Sequence, residues 1–363
     1  MNGDKISFRQ FAAAAAVSTF SPISRLLPKS GLEVAGKSCW VGVLLSFLPL
    51  LGLCFVVKSL LSGEERGLCG AMETAIGKWP GRILSALLGL WIIFYGGFLI
   101  RSGAERYLST VYKDEKLWFF IVTIAGVALI AALGRVRAIS RMAQICAVIL
   151  GLTLVVLFAF ALPDMQKYYL LPVNVLDSGY IALSALPALN VATSWVFITC
   201  LTGYVRPDTW RKGTLVSWAA YTVMLMLIVI VATVGVLGPE LSAGQQYPFF
   251  ALISNLKIFN IFERIEPVTV MIWVLTDMVF ISMLMMSAGE AGKNMTGLSD
   301  RRWPVLVCAA LMTAVAFFIS GSAFQLTFIS DRLIPIVNLL ISAVLLPLLA
   351  LVKKLRRRNG NVL

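Results

Sequence analysis

The sequence predicts an all-α polytopic membrane protein of about ten transmembrane helices, built as two inverted five-helix repeats with helices 1 and 6 broken. Three observations carry that prediction. Hydrophobic residues make up 59% of the 363 and mean hydropathy is +0.87, more apolar surface than a soluble core uses. A window of about 20 residues, the length that crosses bilayer hydrocarbon, finds ten apolar runs. Lys and Arg gather in alternate gaps, 20 on the side of the amino terminus and 11 on the other. That bias marks the cytoplasmic side, so the net charge of +13 reads as topology and not as a nucleic-acid-binding face.

The first run, 8–27, holds Phe11, five alanines, Val17-Ser18-Thr19-Phe20, then Ser21-Pro22-Ile23-Ser24. Proline removes a backbone donor and frees a carbonyl one turn back. In hydrocarbon those groups need protein or a water-filled cavity around them. Transporters use such breaks to hold small polar ligands on bare backbone groups; the alternative is a proline kink in a continuous helix. The remaining runs are 39–61, 83–108, 117–133 and 139–162, then 180–205, 215–237, 268–288, 304–324 and 333–352. Residues 186–190, Leu-Pro-Ala-Leu-Asn, interrupt the sixth. Breaks in the first and sixth helices are the signature of inverted repeats, here about 8–162 and 180–352, within one transmembrane domain.

An even number of spans puts both termini on one side, and the charge bias makes that side cytoplasmic. The basic tail, 353–363, carries Lys353, Lys354, Arg356, Arg357 and Arg358 as its anchor. Lys5 and Arg9 ahead of an apolar run resemble a signal peptide, but the alanine-rich run is expected to stay as an uncleaved first helix. The longest gaps, 163–179 and 238–267, fall outside. Within the second, an amphiphilic piece through Asn255-Leu256-Lys257-Ile258-Phe259 is expected as a short interfacial helix.

Chemistry-bearing residues are few. Histidine is absent and six scattered cysteines form no CxxC pair, so neither a metal site, a cofactor nor a disulfide framework is expected. Without histidine no nucleophile–base pair assembles, and the chain is expected not to be an enzyme. Asp277 is the one acid deep inside a run, with Trp273 and Ile281 on its helical face and Thr276 adjacent. An intramembrane carboxylate must face the bundle interior, be neutral or find a donor; it reads as a coupling or switch group, or else as a buried polar clip. Arg101 and Glu105, one turn apart, can neutralise each other, and Tyr95-Gly96-Gly97 would let another backbone approach. Gly77-Lys78-Trp79 lacks the rest of a phosphate loop.

Lys5-Ile6-Ser7 with Gln10, Pro28, Ala35-Gly36 followed by Trp40, and Phe262-Glu263-Arg264-Ile265-Glu266 with Trp273 together resemble the spore germination permease family. These are the B subunits of nutrient germinant receptors, and the resemblance spans nearly the whole chain, with Glu263, Arg264 and Glu266 its most family-like motif. It implies an amino acid–polyamine–organocation transporter-like fold and recognition of a small germinant, often an amino acid, in the spore inner membrane. It also implies A-type and C-type receptor subunits as partners. The chain departs from the family at Ser21-Pro22-Ile23-Ser24, Lys37-Ser38-Cys39 and Thr193-Ser194, where members usually carry a glycine, an acid and a Gly-Glu pair. The site expected on these grounds uses Ser18, Thr19, Ser21, Pro22, Ile23 and Ser24, faced by Pro187, Ala188 and Asn190. A stand-alone amino-acid/cation symporter coupled through Asp277, or a non-transporting scaffold, are the alternatives.

Overall fold

The computed structural model describes residues 4–110, 115–173, 177–256, 266–298 and 300–360. Seven runs in it are long and apolar enough to cross a membrane, and two shorter apolar helices join them. The first run, Phe8–Leu61, turns back on itself at Gly36, whose φ of +52° is open to glycine. It therefore counts as two spans, and the total among the described residues is ten. In chain order they are α1 (Phe8–Ala35), α2 (Cys39–Leu45 continued by Phe47–Leu61), α3 (Lys78–Thr110), α4 (Leu117–Leu133) and α5 (Val136–Ala161). The second half holds α6 (Ser178–Tyr204), α7 (Lys212–Leu237), α8 (Glu266–Thr296), α9 (Arg302–Phe318) and α10 (Phe324–Arg356). The protein is a multi-pass integral membrane protein.

Each end of the chain is tied to the same face of the bundle. A capping box starts α1: Ser7 Oγ accepts from the Gln10 backbone N–H at 3.4 Å, and Gln10 Oε1 accepts from that of Ser7 at 2.8 Å. Just before it, Ile6 forms a parallel bridge with Val205 at the end of α6. The other end is fixed by Lys353, which is buried, ion-paired with Glu64, and donates Nζ to the Leu60 carbonyl at 2.6 Å. Lys353 thus acts inside the bundle, not as a free surface anchor.

Helix α1 runs through the middle, packed on α5, α6, α7 and α8, while α3 and α8 form the most extensive pair. The first and third helices of each half also pack on their counterparts in the other, α1 on α6 and α3 on α8. Gly96 and Gly97 do let a backbone approach: a Cβ on Gly97 would stand 2.6 Å from Val315 Cβ and 2.7 Å from the Met312 carbonyl of α9. Arg101 and Glu105 pair at 2.8 Å, and all six cysteines are free and buried.

The break expected in α1 is not there. The helix is unbroken for 28 residues with Pro22 and Pro28 inside it. Each proline removes one backbone donor, and the enclosure of α1 by its neighbours keeps the helix continuous, while its hydroxyls bond along its own backbone. Ser18 Oγ donates to the Ala14 carbonyl at 2.7 Å, Thr19 Oγ1 to Ala16 at 2.7 Å and Ser24 Oγ to Ser21 at 3.1 Å. Helix α6 is broken, but on either side of 186–190. Ser178–Leu183 and Ala185–Ala192 are α-helical, and Ser194–Tyr204 is an eleven-residue 3-10 helix. Pro187 is the third residue of its segment, where a helix has no use for the missing N–H. The long 3-10 run is unusual, and Thr193, Ser194, Thr199 and Thr202 each donate to a carbonyl three residues back along it.

Two boundaries also move. α10 begins near Phe324 and not at 333, because a π-helical turn over Ile329–Leu333 carries Asp331 and Arg332 within the helix. In the gap between α7 and α8, two short helices, Pro239–Gly244 and Pro248–Asn255, are described, and the second packs against the bundle. Phe249, Leu252 and Ile253 are buried against α1, α7 and α8, with Phe249 edge-on to Phe20 at 6.3 Å. Residues 257–259 of the expected piece lie outside the described residues.

Candidate ligand site

One face of α1, at Ser21, Ser24 and Arg25, meets α3 and α8 in a buried polar cluster. The Arg106 guanidinium of α3 is ion-paired with the Asp277 carboxylate of α8. Its NH1 donates to Ser21 Oγ at 3.0 Å. The Tyr107 hydroxyl donates to the same Asp277 oxygen at 3.3 Å. Trp273, one turn before Asp277, lays its ring 4.5 Å from the guanidinium carbon and donates Nε1 to Ser24 Oγ at 2.8 Å. Arg106 is 1% and Asp277 6% exposed, so this is a buried charge pair. Such a pair is held only if hydrogen bonds satisfy its remaining donors and acceptors. Arg106 Nε is the one nitrogen of that guanidinium without a hydrogen-bond partner.

Above the cluster, on the face opposite both termini, lies a cavity of about 840 Å³, in the range of small-molecule sites. It is bounded by α1, α3, α6, α10 and the loop 244–247. Three features of its wall bear on a ligand. Arg25 is 9% exposed and stacked 5.1 Å over Phe98, and among the described residues no carboxylate pairs with it. Asn190 Oδ1 and Ser330 Oγ are buried without a hydrogen-bond partner. Lys29, Glu33, Asp331 and Arg332 place both signs of charge around the wall.

The residues expected from the sequence divide cleanly. Ser21 and Ser24 join Asp277 and Trp273 in the cluster. Ser18, Thr19, Pro22 and Ile23 are buried in α1's packing, with the two hydroxyls spent on their own helix. Pro187 and Asn190 line the cavity, while Ala188 is fully buried behind them. Glu263 and Arg264 lie outside the described residues, and Glu266 is described only as the first residue of α8. Missed from the sequence were Arg25, Arg106 and Tyr107. The signal for Arg25 was present: it stands four residues after Ser21, on the same helical face and inside an apolar run. Arg106 carried a weaker one, as a basic residue beside an already neutralised Arg101–Glu105 turn.

The comparisons with known proteins agree with this architecture. The sequence profile of a family described as "Spore germination protein" matches residues 7–324. Spore germination protein YndE of Bacillus subtilis (strain 168) is 22% identical over 247 residues, covering 65% of this chain and 66% of that relative's length. Among solved structures, MhsT in complex with L-phenylalanine superposes with a TM-score of 0.65 at 16% identity, over 96% of this chain and 88% of MhsT. A substrate-bound, outward-open Na+-coupled sialic acid symporter gives 0.64 at 11% identity, over 94% and 77%. At such identities the two structures speak for the fold alone.

Proposed function

This chain belongs to the spore germination permease family, and on that premise we propose that it is the permease-like subunit of a spore germinant receptor. It binds a small nutrient, an amino acid, in the outer cavity. Arg25 is the observation that carries this reading. A buried guanidinium with only an aromatic face against it lacks the anion that would offset its desolvation, and a ligand carboxylate supplies one through paired N–H donors. Asn190 Oδ1, an unsatisfied acceptor in the same wall, takes an N–H of the ligand's ammonium. Both groups belong to the α1–α6 pair from which an inverted-repeat transporter builds its site, although here α1 contributes side chains and not bare backbone.

Ligand binding is coupled to the bundle through α1. A carboxylate drawing on Arg25 acts one helical turn from Ser21, which holds Arg106, and beside Ser24, which holds Trp273. Asp277 already has Arg106 as its counter-ion, which favours a sensor over a symporter that carries a cation on a free carboxylate. A-type and C-type receptor subunits dock on the outer gap 238–267 and the basic tail. The membrane is the spore inner membrane, with both termini cytoplasmic and the cavity facing outward.

The test is direct binding of radiolabelled amino acids to the purified protein and to Arg25→Gln. Affinity for the bound amino acid falls tenfold or more in the variant, about 1.4 kcal/mol, while Arg25→Lys keeps part of it. Equal affinities for Arg25→Gln and the unaltered protein, or no amino acid bound by the latter, would sink the reading.

A further inference from the structure

A second hollow has no part in that site. It is a crevice of about 600 Å³ between α1, α5 and α7, on the half of the bundle that carries both termini. Ala12, Ala13 and Ala16 of α1 and Ala147 of α5 form its walls, so the alanine run that opens α1 leaves room where longer side chains would close it. Beside them stands Val148, 71% exposed on the bundle's apolar outer surface. At the end nearest the termini stand Arg9, in the first turn of α1, and Arg211, just before α7.

The crevice is lined by small residues along α1 and opens beside Val148 onto the bundle's apolar outer surface, so a flexible hydrocarbon chain can enter it from the side. The charge is equally one-sided. Among the described residues no acid lines the crevice and neither arginine is in an ion pair. Basic pockets between transmembrane helices at the membrane surface suit phosphate headgroups, and an arginine's long stem reaches that surface from a helix end.

We propose that this crevice binds one anionic phospholipid, its phosphate between Arg9 and Arg211 and an acyl chain along the alanine face of α1. The test uses the purified full-length protein in neutral detergent, titrated with dioleoyl phosphatidylglycerol, dioleoyl phosphatidylcholine or oleate and read by native mass spectrometry. Phosphatidylglycerol is retained about tenfold more tightly than phosphatidylcholine. Arg9→Gln with Arg211→Gln removes that preference, and Ala13→Phe, which fills the crevice and leaves both arginines, lowers retention of either phospholipid. Equal retention of the two phospholipids by the unaltered protein overturns the proposal without any variant. So does phosphatidylglycerol binding that survives both sets of substitutions, or oleate held as tightly as the phospholipid. A dimer that Ala13→Phe dissolves while phosphatidylglycerol retention stays unchanged would assign the crevice to a second copy instead.

Discussion

Substituting Asp277→Asn tests the Arg106–Asp277 pair, because the amide keeps the shape of the carboxylate while removing its charge and turning one acceptor oxygen into a donor. Removing one partner of a buried ion pair costs about 3–5 kcal/mol, since the other is left charged and uncompensated. Here the amide oxygen still accepts from Arg106, and a hydrogen bond to a charged donor retains about 1.5 kcal/mol or more. Ser21 Oγ and the Trp273 ring contact Arg106 before and after the change, so they cancel from the difference. The net loss is then roughly 2–3 kcal/mol. At about 2–4 °C per kcal/mol for a larger domain, the unfolding midpoint drops on the order of 4–12 °C. The six buried cysteines supply the assay, a thiol-reactive fluorophore followed during heating in detergent micelles. The decisive comparison is Arg106→Gln with Asp277→Asn, which removes both charges. If the pair is an ionic lock, the double variant unfolds at a higher temperature than Asp277→Asn alone. A double variant less stable than the single would refute the reasoning, because the carboxylate would then matter for something other than neutralising Arg106.

Two further outcomes follow from the fold. Pro22→Ala restores the hydrogen bond that α1 lacks at the Ser18 carbonyl, so the protein is at least as stable and amino-acid affinity stays within about twofold; a tenfold loss of affinity would mean that the proline itself shapes the site. Gly97→Ala drives a methyl against Val315 and the Met312 carbonyl of α9, and overpacking of this kind costs about 1–3 kcal/mol. Membrane levels measured by a fluorescent fusion should fall accordingly, and unchanged levels would show that α9 can shift away.

The ten spans were legible because lipid leaves no choice: an apolar run of the right length must be a helix. The state of α1 was not. Pro22 removes one donor whether the helix breaks or continues, and the outcome depends on the enclosure by α5, α6, α7 and α8, which no local pattern records. The same serines that read as ligand contacts instead close hydrogen bonds along α1 and reach across to Arg106 and Trp273. The start of α10 was hidden by Asp331 and Arg332, whose charges mimic a gap in hydropathy but line a cavity from within a helix. The cluster was half legible. An acid in the middle of a span demanded a partner, and the only mark on Arg106 was its place beside the neutralised Arg101–Glu105 turn, which does not point to Asp277.

Depth explains why. Asp277 stands eleven residues inside the start of α8, about 16 Å along the axis, whereas Arg106 is four residues from the end of α3, about 6 Å. Read as parallel rods with level ends, the two helices would hold these side chains about 10 Å apart in depth. They nevertheless pair, because helical side chains lean toward the amino-terminal end, so Arg106 reaches back along α3 and Asp277 back along α8, and the arginine's long stem closes the rest. Ser102 and Glu105 of α3 line the cavity beside Arg25, and Ser21, one turn before Arg25 on α1, accepts from Arg106. A substitution that releases Arg106 from Asp277 therefore disturbs the turn of α1 that carries Arg25 as well as the packing of α3 on α8.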